Sequence, residues 1–222
     1  MALFDFNLVA EKYDQFYDTP FGLKVDHVER QAIWECLLQT ELNEPFLEIG
    51  CGTGHWTRFF RQKGLNITAI DEADKMLAIA KVKNPDRVDF SQMSAENMQF
   101  PDHTFLNIIT IATLEFVDNL DDVLSEINRV LSPGGTLIAG CLNENSEPGR
   151  EKQKNEVYRN ARFFTPEGLQ ESLKPIGSAK IDACAMIEGD KVLDYPDFHQ
   201  VSRAERMKKG AFLTAIVKKE KS

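Results

Sequence analysis

Three glycines at alternate positions, Gly50, Gly52 and Gly54, follow directly on the apolar run Phe46-Leu47-Glu48-Ile49. Beyond them, His55 to Gln62 carries Trp56, Phe59 and Phe60 at helical spacing, with Gly64 as a stop. A short buried strand, a glycine turn and a helix are therefore expected in that order. Glycine has no Cβ, so such a turn lets backbone approach a ligand closely. Two familiar nucleotide devices are spaced differently: the dinucleotide fingerprint is G-x-G-x-x-G, and the phosphate loop ends in G-K-[ST]. Here the pattern is G-x-G-x-G, with an acid (Glu48) two residues before the first glycine and no lysine after the last.

The pattern that follows alternates strand and helix. Asn66 to Ile70, Val88 to Ser91, Asn107 to Ala112 and Thr136 to Leu142 read as strands. Helices are expected over Asp74 to Val82, ending before Pro85, and over Asp121 to Leu131. Asn107 to Ala112 is nearly all apolar, as a strand buried on both faces should be. Ser132-Pro133-Gly134-Gly135 is a strong turn signal. The alternation predicts a doubly wound, mostly parallel α/β sheet with helices on both faces. Val25, Val28, Ala32 and Cys36 mark a helix ahead of the sheet, and Thr165-Pro166-Glu167 reads as a helix N-cap. Ser178 to Ile187 and Ala211 to Val217 are strand-like. One domain over residues 1–222 is expected: a helical lid at 1–45, a core at 46–142 and a further region at 143–222.

Several function classes lose ground on composition. The net charge of −9 disfavours nucleic acid, whose phosphates need a basic face. Arg203, Arg206, Lys208, Lys209, Lys218, Lys219 and Lys221 form the one basic concentration, read as a solvated face and tail. Cys36, Cys51, Cys141 and Cys184 are scattered without C-x-x-C spacing, so neither zinc nor a disulfide framework is expected and a reduced, cytoplasmic setting is. No secretory signal and no membrane span are expected.

Asp71 ends the second predicted strand, 21 residues after Gly50. That is close to the separation of a ribose-binding acid in nucleotide folds, and a strand-end carboxylate can accept both ribose hydroxyls. NAD and S-adenosylmethionine (SAM) share that ribose, so Asp71 alone does not choose between them. Met93-Ser94-Ala95-Glu96 with Phe100-Pro101-Asp102 is a third landmark.

Glu48 to Gly54 resembles motif I of the class I SAM-dependent methyltransferases, and residues 93–102 resemble their adenine-contacting segment. Arg129 to Leu131, the Ser-Pro-Gly-Gly turn and Thr136 to Ile138 are similar to the small-molecule branch that includes quinone-biosynthesis enzymes. The resemblance implies a Rossmann-like, seven-stranded sheet closed by a C-terminal antiparallel strand. It implies SAM as cofactor, S-adenosylhomocysteine as product, and a cofactor site at Tyr13, Glu48, Gly50, Cys51, Gly52, Gly54, Asp71, Glu72, Met76, Ser94 and Ala95. Ser94 stands where the family usually has Asp, and Glu72 where it is more often apolar. Glu48 supports the glycine turn on either reading, and Met76 packs on adenine or in the core.

With SAM the methyl group is already activated, and catalysis is mainly alignment of a nucleophile. No Asn-Pro-Pro-Tyr or Asp-Pro-Pro-Tyr segment follows the fourth strand, which disfavours DNA bases as acceptors. Glu115 is the ionisable side chain in that place and the candidate catalytic residue. Tyr13, Phe16 and Tyr17 form a stripe on the lid, read first as packing. His55 reads as a first-turn polar residue and His199 as exposed. Tyr158, Arg159 and Arg162 are candidates for the acceptor pocket. The expectation is methyl transfer to a small molecule, with an NAD-type oxidoreductase or a non-catalytic SAM-binding protein as alternatives.

Overall fold

The structure, a computed structural model, describes residues 3–84, 88–189, 191–193, 197 and 200–221. Pro85 and His199 lie outside the described residues. Eight strands form one sheet: β1 (Phe46–Ile49), β2 (Ile67–Asp71), β3 (Val88–Gln92), β4 (Phe105–Ile111), β5 (Leu131–Leu142), β6 (Ala179–Glu188), β7 (Lys191–Val192) and β8 (Gly210–Lys218). Their order is β3-β2-β1-β4-β5-β8-β6-β7. Strands β1 to β5 pair in parallel, while β8 runs antiparallel between β5 and β6. The doubly wound sheet and its reversed C-terminal strands match the expectation. The count differs by one, because Lys191 and Val192 add a two-residue edge strand whose sequence is too short to carry a period.

Helices α1 (Pro20–Leu37), α2 (His55–Gln62) and α3 (Asp74–Lys83) lie between or ahead of the first strands, and α4 (Leu120–Val130) precedes β5. They are followed by α5 (Glu147–Arg150), α6 (Pro166–Leu173) and α7 (Arg203–Lys209). One apolar layer joins α4 and α6 to the sheet through Val123, Ile127, Leu169 and Leu173. The other joins α1 and α2 to the opposite face through Val28, Ile33, Trp56 and Phe60. Two helices begin with the same kind of cap, and the one at Thr165 is the one read in the sequence. The Thr19 hydroxyl accepts the Gly22 N–H at 2.9 Å with Pro20 behind it, and the Thr165 hydroxyl accepts that of Gly168 at 3.0 Å with Pro166 behind it. For α4 the cap is Asn119, with Asp121 and Asp122 in the first turn, where the helix dipole favours them.

The Ser132 to Gly135 turn sits inside β5 rather than before it. Leu131 pairs with Phe105 and Thr136 with Asn107, so four residues bulge out of the ladder between two registered positions. Gly134, at φ 77°, turns the chain there. Part of the basic C-terminal concentration is structural. Arg203 donates to the Ile181 carbonyl, Arg206 pairs with Asp182 at 2.5 Å, and Lys219 reaches the Asn128 and Leu131 carbonyls. All four cysteines are free and buried.

The sheet order reverses between β1 and β4, and a ligand crevice opens outside the C-terminal ends of strands at such a point. The N-terminal segment covers that edge. Two 3-10 turns, Phe6–Leu8 and Ala10–Phe16, lie against α3, and α1 packs on β5, β8, β6 and β7.

Candidate active site

One cavity of about 560 Å³ lies at this edge, running from the ends of β1, β2 and β3 to α1, β8 and the loop after β5. At the first end the chain must turn abruptly. Gly50, Gly52 and Gly54 take φ of 73°, 53° and 74°, the left-handed region that favours glycine. A Cβ on Gly50 would stand 2.2 Å from the Thr113 hydroxyl, so β1 and β4 could not close up with any other residue. A Cβ on Gly52 would meet nothing within 4 Å. That glycine faces open space, the approach a ligand needs.

Asp71 organises the loop. One carboxylate oxygen accepts the Gly52 N–H at 2.7 Å and the other accepts the Ala73 N–H at 2.9 Å, tying the glycine turn to the start of α3. Burial raises its pKa, and these backbone donors oppose the rise. A carboxylate offers about four acceptor sites, so acceptor capacity remains for a ligand. Glu48 sits behind the loop, its carboxyl taking the Thr57 hydroxyl at 2.6 Å, and burial pushes it up to about 8.

Tyr13, Gly50, Cys51, Gly52, Asp71, Glu72, Met76 and Ala95 all line the cavity. Glu48, Gly54 and Ser94 are not lining residues; the first two shape the loop from behind. The Ser94 hydroxyl donates to the Glu96 carboxylate and accepts the Glu96 N–H at 3.2 Å. Glu96 itself lines the cavity and also accepts the Asp118 N–H at 3.1 Å. Glu115 is fully buried away from the cavity lining, where it accepts the Leu142 N–H at 2.5 Å; burial raises it to about 7. Tyr158 lines the cavity, whereas Arg159 and Arg162 are not among its lining residues.

The second end is aromatic. Tyr17 stacks on His55 at 3.6 Å between ring centroids and 10° between planes. His55 Nε2 in turn stands 2.6 Å from Asp26 and 2.8 Å from Arg30, so the first residue of α2 is tied into α1 rather than simply solvated. Trp56, Phe21, Phe212 and Tyr158 complete the wall. Burial raises the hydroxyl pKa of Tyr13, Tyr17 and Tyr158, that of Tyr158 to about 12, so all three stay neutral at physiological pH.

Sequence reasoning missed Glu29 and Asp14. Glu29 lines the aromatic end, and burial raises it to about 8. A signal existed: it lies in register with Val25 and Ile33, an acid on the buried stripe of α1. Asp14, from the second 3-10 turn, accepts the Thr53 hydroxyl at 2.6 Å and pairs with Lys83 of α3. It ties the second 3-10 turn to the glycine loop and to α3. Among the described residues no cluster of His, Cys, Asp and Glu could hold a metal ion, and no helix is long and apolar enough to cross a membrane.

Residues 47–139 match a family model described as a methyltransferase domain. The chain is 36% identical over 135 residues to a malonyl-[acyl-carrier protein] O-methyltransferase of Pectobacterium atrosepticum, covering 58% of this chain and 52% of that protein. It is 33% identical over 135 residues to a demethylmenaquinone methyltransferase of Tropheryma whipplei, covering 60% and 55%. Both alignments therefore span about half of the relative. Over nearly its whole length, 97% of this chain and 98% of the other, it superposes on a solved SAM-dependent methyltransferase of Thermotoga maritima, a possible histamine N-methyltransferase, with a TM-score of 0.76 and 26% identity.

Proposed function

Since the chain belongs to the class I SAM-dependent methyltransferases, we propose that it transfers a methyl group from SAM to a small molecule seated at the aromatic end of its cavity. The observation that carries this reading is the continuity of that cavity, with the glycine loop and Asp71 at one end and an aromatic wall at the other. Its size falls in the usual range of about 300–1,000 Å³ for small-molecule sites. The residues fit the cofactor. Gly52 leaves room over the loop, Asp71 keeps free lone pairs, and Met76 and Ala95 supply apolar surface.

On this reading Asp71 accepts the ribose hydroxyls, and Gly50, Cys51 and Gly52 approach the methionine part through backbone. Met76, Glu72 and Ala95 flank the adenine, and Tyr13 closes over it. Glu48 and Gly54 hold the turn, and Ser94 fixes Glu96. Residues 1–45 act as the lid, 46–142 as the cofactor core and 143–222 as the acceptor side of one domain. When bound, SAM supplies a methyl group activated by its sulfonium. The chain's share is to align the acceptor, exclude water and manage its proton. The named acceptors of the relatives differ in chemistry, so similarity leaves the acceptor class open.

Calorimetry with SAM, S-adenosylhomocysteine and NAD tests the cofactor, followed by transfer of labelled methyl from SAM across an acceptor panel. Binding of the first two with labelled product supports the reading. Binding of NAD alone overturns it.

A further inference from the structure

The aromatic end has a chemistry that narrows the acceptor, and the argument for it rests on the reading above. Asp71, Glu72 and Glu96, three of the acids facing the cavity, lie at the end of β2 and in the loops after β2 and β3. Glu29 stands apart from them, on α1. Among the described residues its carboxyl makes no hydrogen bond and no ion pair, although it is withdrawn among tyrosines. The hydroxyls of Tyr13, Tyr17 and Tyr158 all feel its charge. No arginine is among the described lining residues, and the single lysine there, Lys12, comes from the 3-10 turn.

An acceptor with a negative charge would meet this carboxyl with no arginine among the described lining residues to pair with. A protonated amine would gain twice, from the carboxylate and from the negative faces of the rings. We infer that the acceptor is a small amine whose nitrogen sits between the aromatic wall and Glu29, and that Glu29 takes the proton this nitrogen must shed. The ammonium gives one proton to the carboxylate. Its freed electron pair then forms the N–C bond while the C–S pair stays on sulfur. The proton leaves Glu29 for solvent, so the balance is a methylated ammonium, a thioether and one released proton.

Electrostatics agree with that role. Burial raises Glu29 to about 8, Asp26 and Glu115 push the same way, and Arg30 opposes them. Tyr13, Tyr17 and Tyr158 are the neutral titratable groups around it, with the buried Cys184 thiol on β6 also sensing its charge. A base is most useful when its pKa lies near the working pH.

The test uses the full chain loaded with S-adenosylhomocysteine, as wild type and as Glu29→Gln. A panel of arylalkyl and alkyl amines, each with its alcohol and carboxylate isostere, is titrated calorimetrically in two buffers of different ionisation enthalpy at pH 7. At least one amine should bind about tenfold or more tightly than its alcohol, the worth of a charged hydrogen bond, and should release a proton on binding. Glu29→Gln should abolish both the preference and the proton release while its affinity for S-adenosylhomocysteine stays unchanged. Equal or tighter binding of alcohols or carboxylates overturns the inference, as does an amine preference that survives in Glu29→Gln. Failure of the wild type to bind S-adenosylhomocysteine is a separate outcome: it overturns the cofactor reading and this inference with it.

Discussion

Glu48 and Glu29 are both carboxyl groups pushed up to about 8 by burial, yet they serve opposite ends of the cavity. Glu48 is sealed beneath the glycine loop with the Thr57 hydroxyl for company; Glu29 lines the cavity without a partner among the described residues. The first is a part of the scaffold, and the second is the group we propose the acceptor meets. The contrast extends to the neighbours of each. The glycine-loop end is made largely of backbone and strand ends, tied together through Asp71. The aromatic end is assembled from side chains of α1, β8, the 3-10 turns and the loop after β5, and its shape depends on how those segments dock.

The largest expected effect is the pH dependence that Glu48 imposes on stability. A folded acid that ionises near 8, against an ordinary value of 4.5, holds its proton across that window while the unfolded chain gives it up. Its contribution to stability is therefore full below about 4.5 and is lost as pH rises toward 8. Glu48→Gln should remove roughly one proton from that dependence, about 1.4 kcal/mol per pH unit or on the order of 5 kcal/mol across the window. Urea unfolding at pH 5 and pH 8 measures it, and equal slopes for mutant and wild type would show that Glu48 is solvated in the folded state. The glycines come next. Gly50→Ala combines a left-handed backbone with a clash against Thr113, and should cost about 2–4 kcal/mol of stability. Gly52→Ala meets no neighbour, so it should cost only about 1–2 kcal/mol and weaken S-adenosylhomocysteine binding instead. Reversal of that order would break the claim that one glycine serves packing and the other serves the ligand.

Asp71→Ala acts on the cofactor end alone. Loss of a charged acceptor is worth about 1.5–3 kcal/mol, so S-adenosylhomocysteine should bind roughly 10 to 100 times more weakly. Amine preference, measured at saturating S-adenosylhomocysteine, should persist. An Asp71 variant that loses the preference as well would show that the two ends are not separable.

The same contrast explains what could be read in the sequence. Strands β1 to β5 and the helices between them were legible because each carries its own period and its own stop, and the glycine loop because its spacing is local. Asp71 was legible for the same reason, since a strand end and a loop twenty residues apart must meet in a doubly wound sheet. The two-residue strand β7 carried no period, and the Ser132 to Gly135 turn lay within β5 because the ladder resumes at Thr136. Glu115 illustrates the limit at the site. Its place after β4 put it near the crevice in sequence, but the turn at Ala112, with φ 48°, is followed by a chain path that buries its carboxyl against the Leu142 N–H. Glu29 stands far from every motif in sequence, and only the docking of α1 brings it to the cavity.

The smallest expected effect falls where the two ends meet. Asp14 bridges Thr53 of the glycine loop and Lys83 of α3, and the 3-10 turn that carries it also carries Tyr13 of the cavity wall. Its side chain is about three-tenths exposed, at 29%, so solvent screens the ion pair and little stability is at stake, about 1 kcal/mol or less. The hydrogen bond to Thr53 adds about 1 kcal/mol. Asp14→Ala should therefore fold almost as well as wild type, yet release S-adenosylhomocysteine several-fold faster, because the lid loses its hold on the loop and not the loop its hold on the ligand. Asp14→Asn keeps an acceptor for Thr53 and drops the charge, so it should lie between them. Stopped-flow release followed by Trp56 fluorescence measures both. Release unchanged in Asp14→Ala would mean that the lid is held by its aromatic contacts alone, and that the two ends of the cavity close independently.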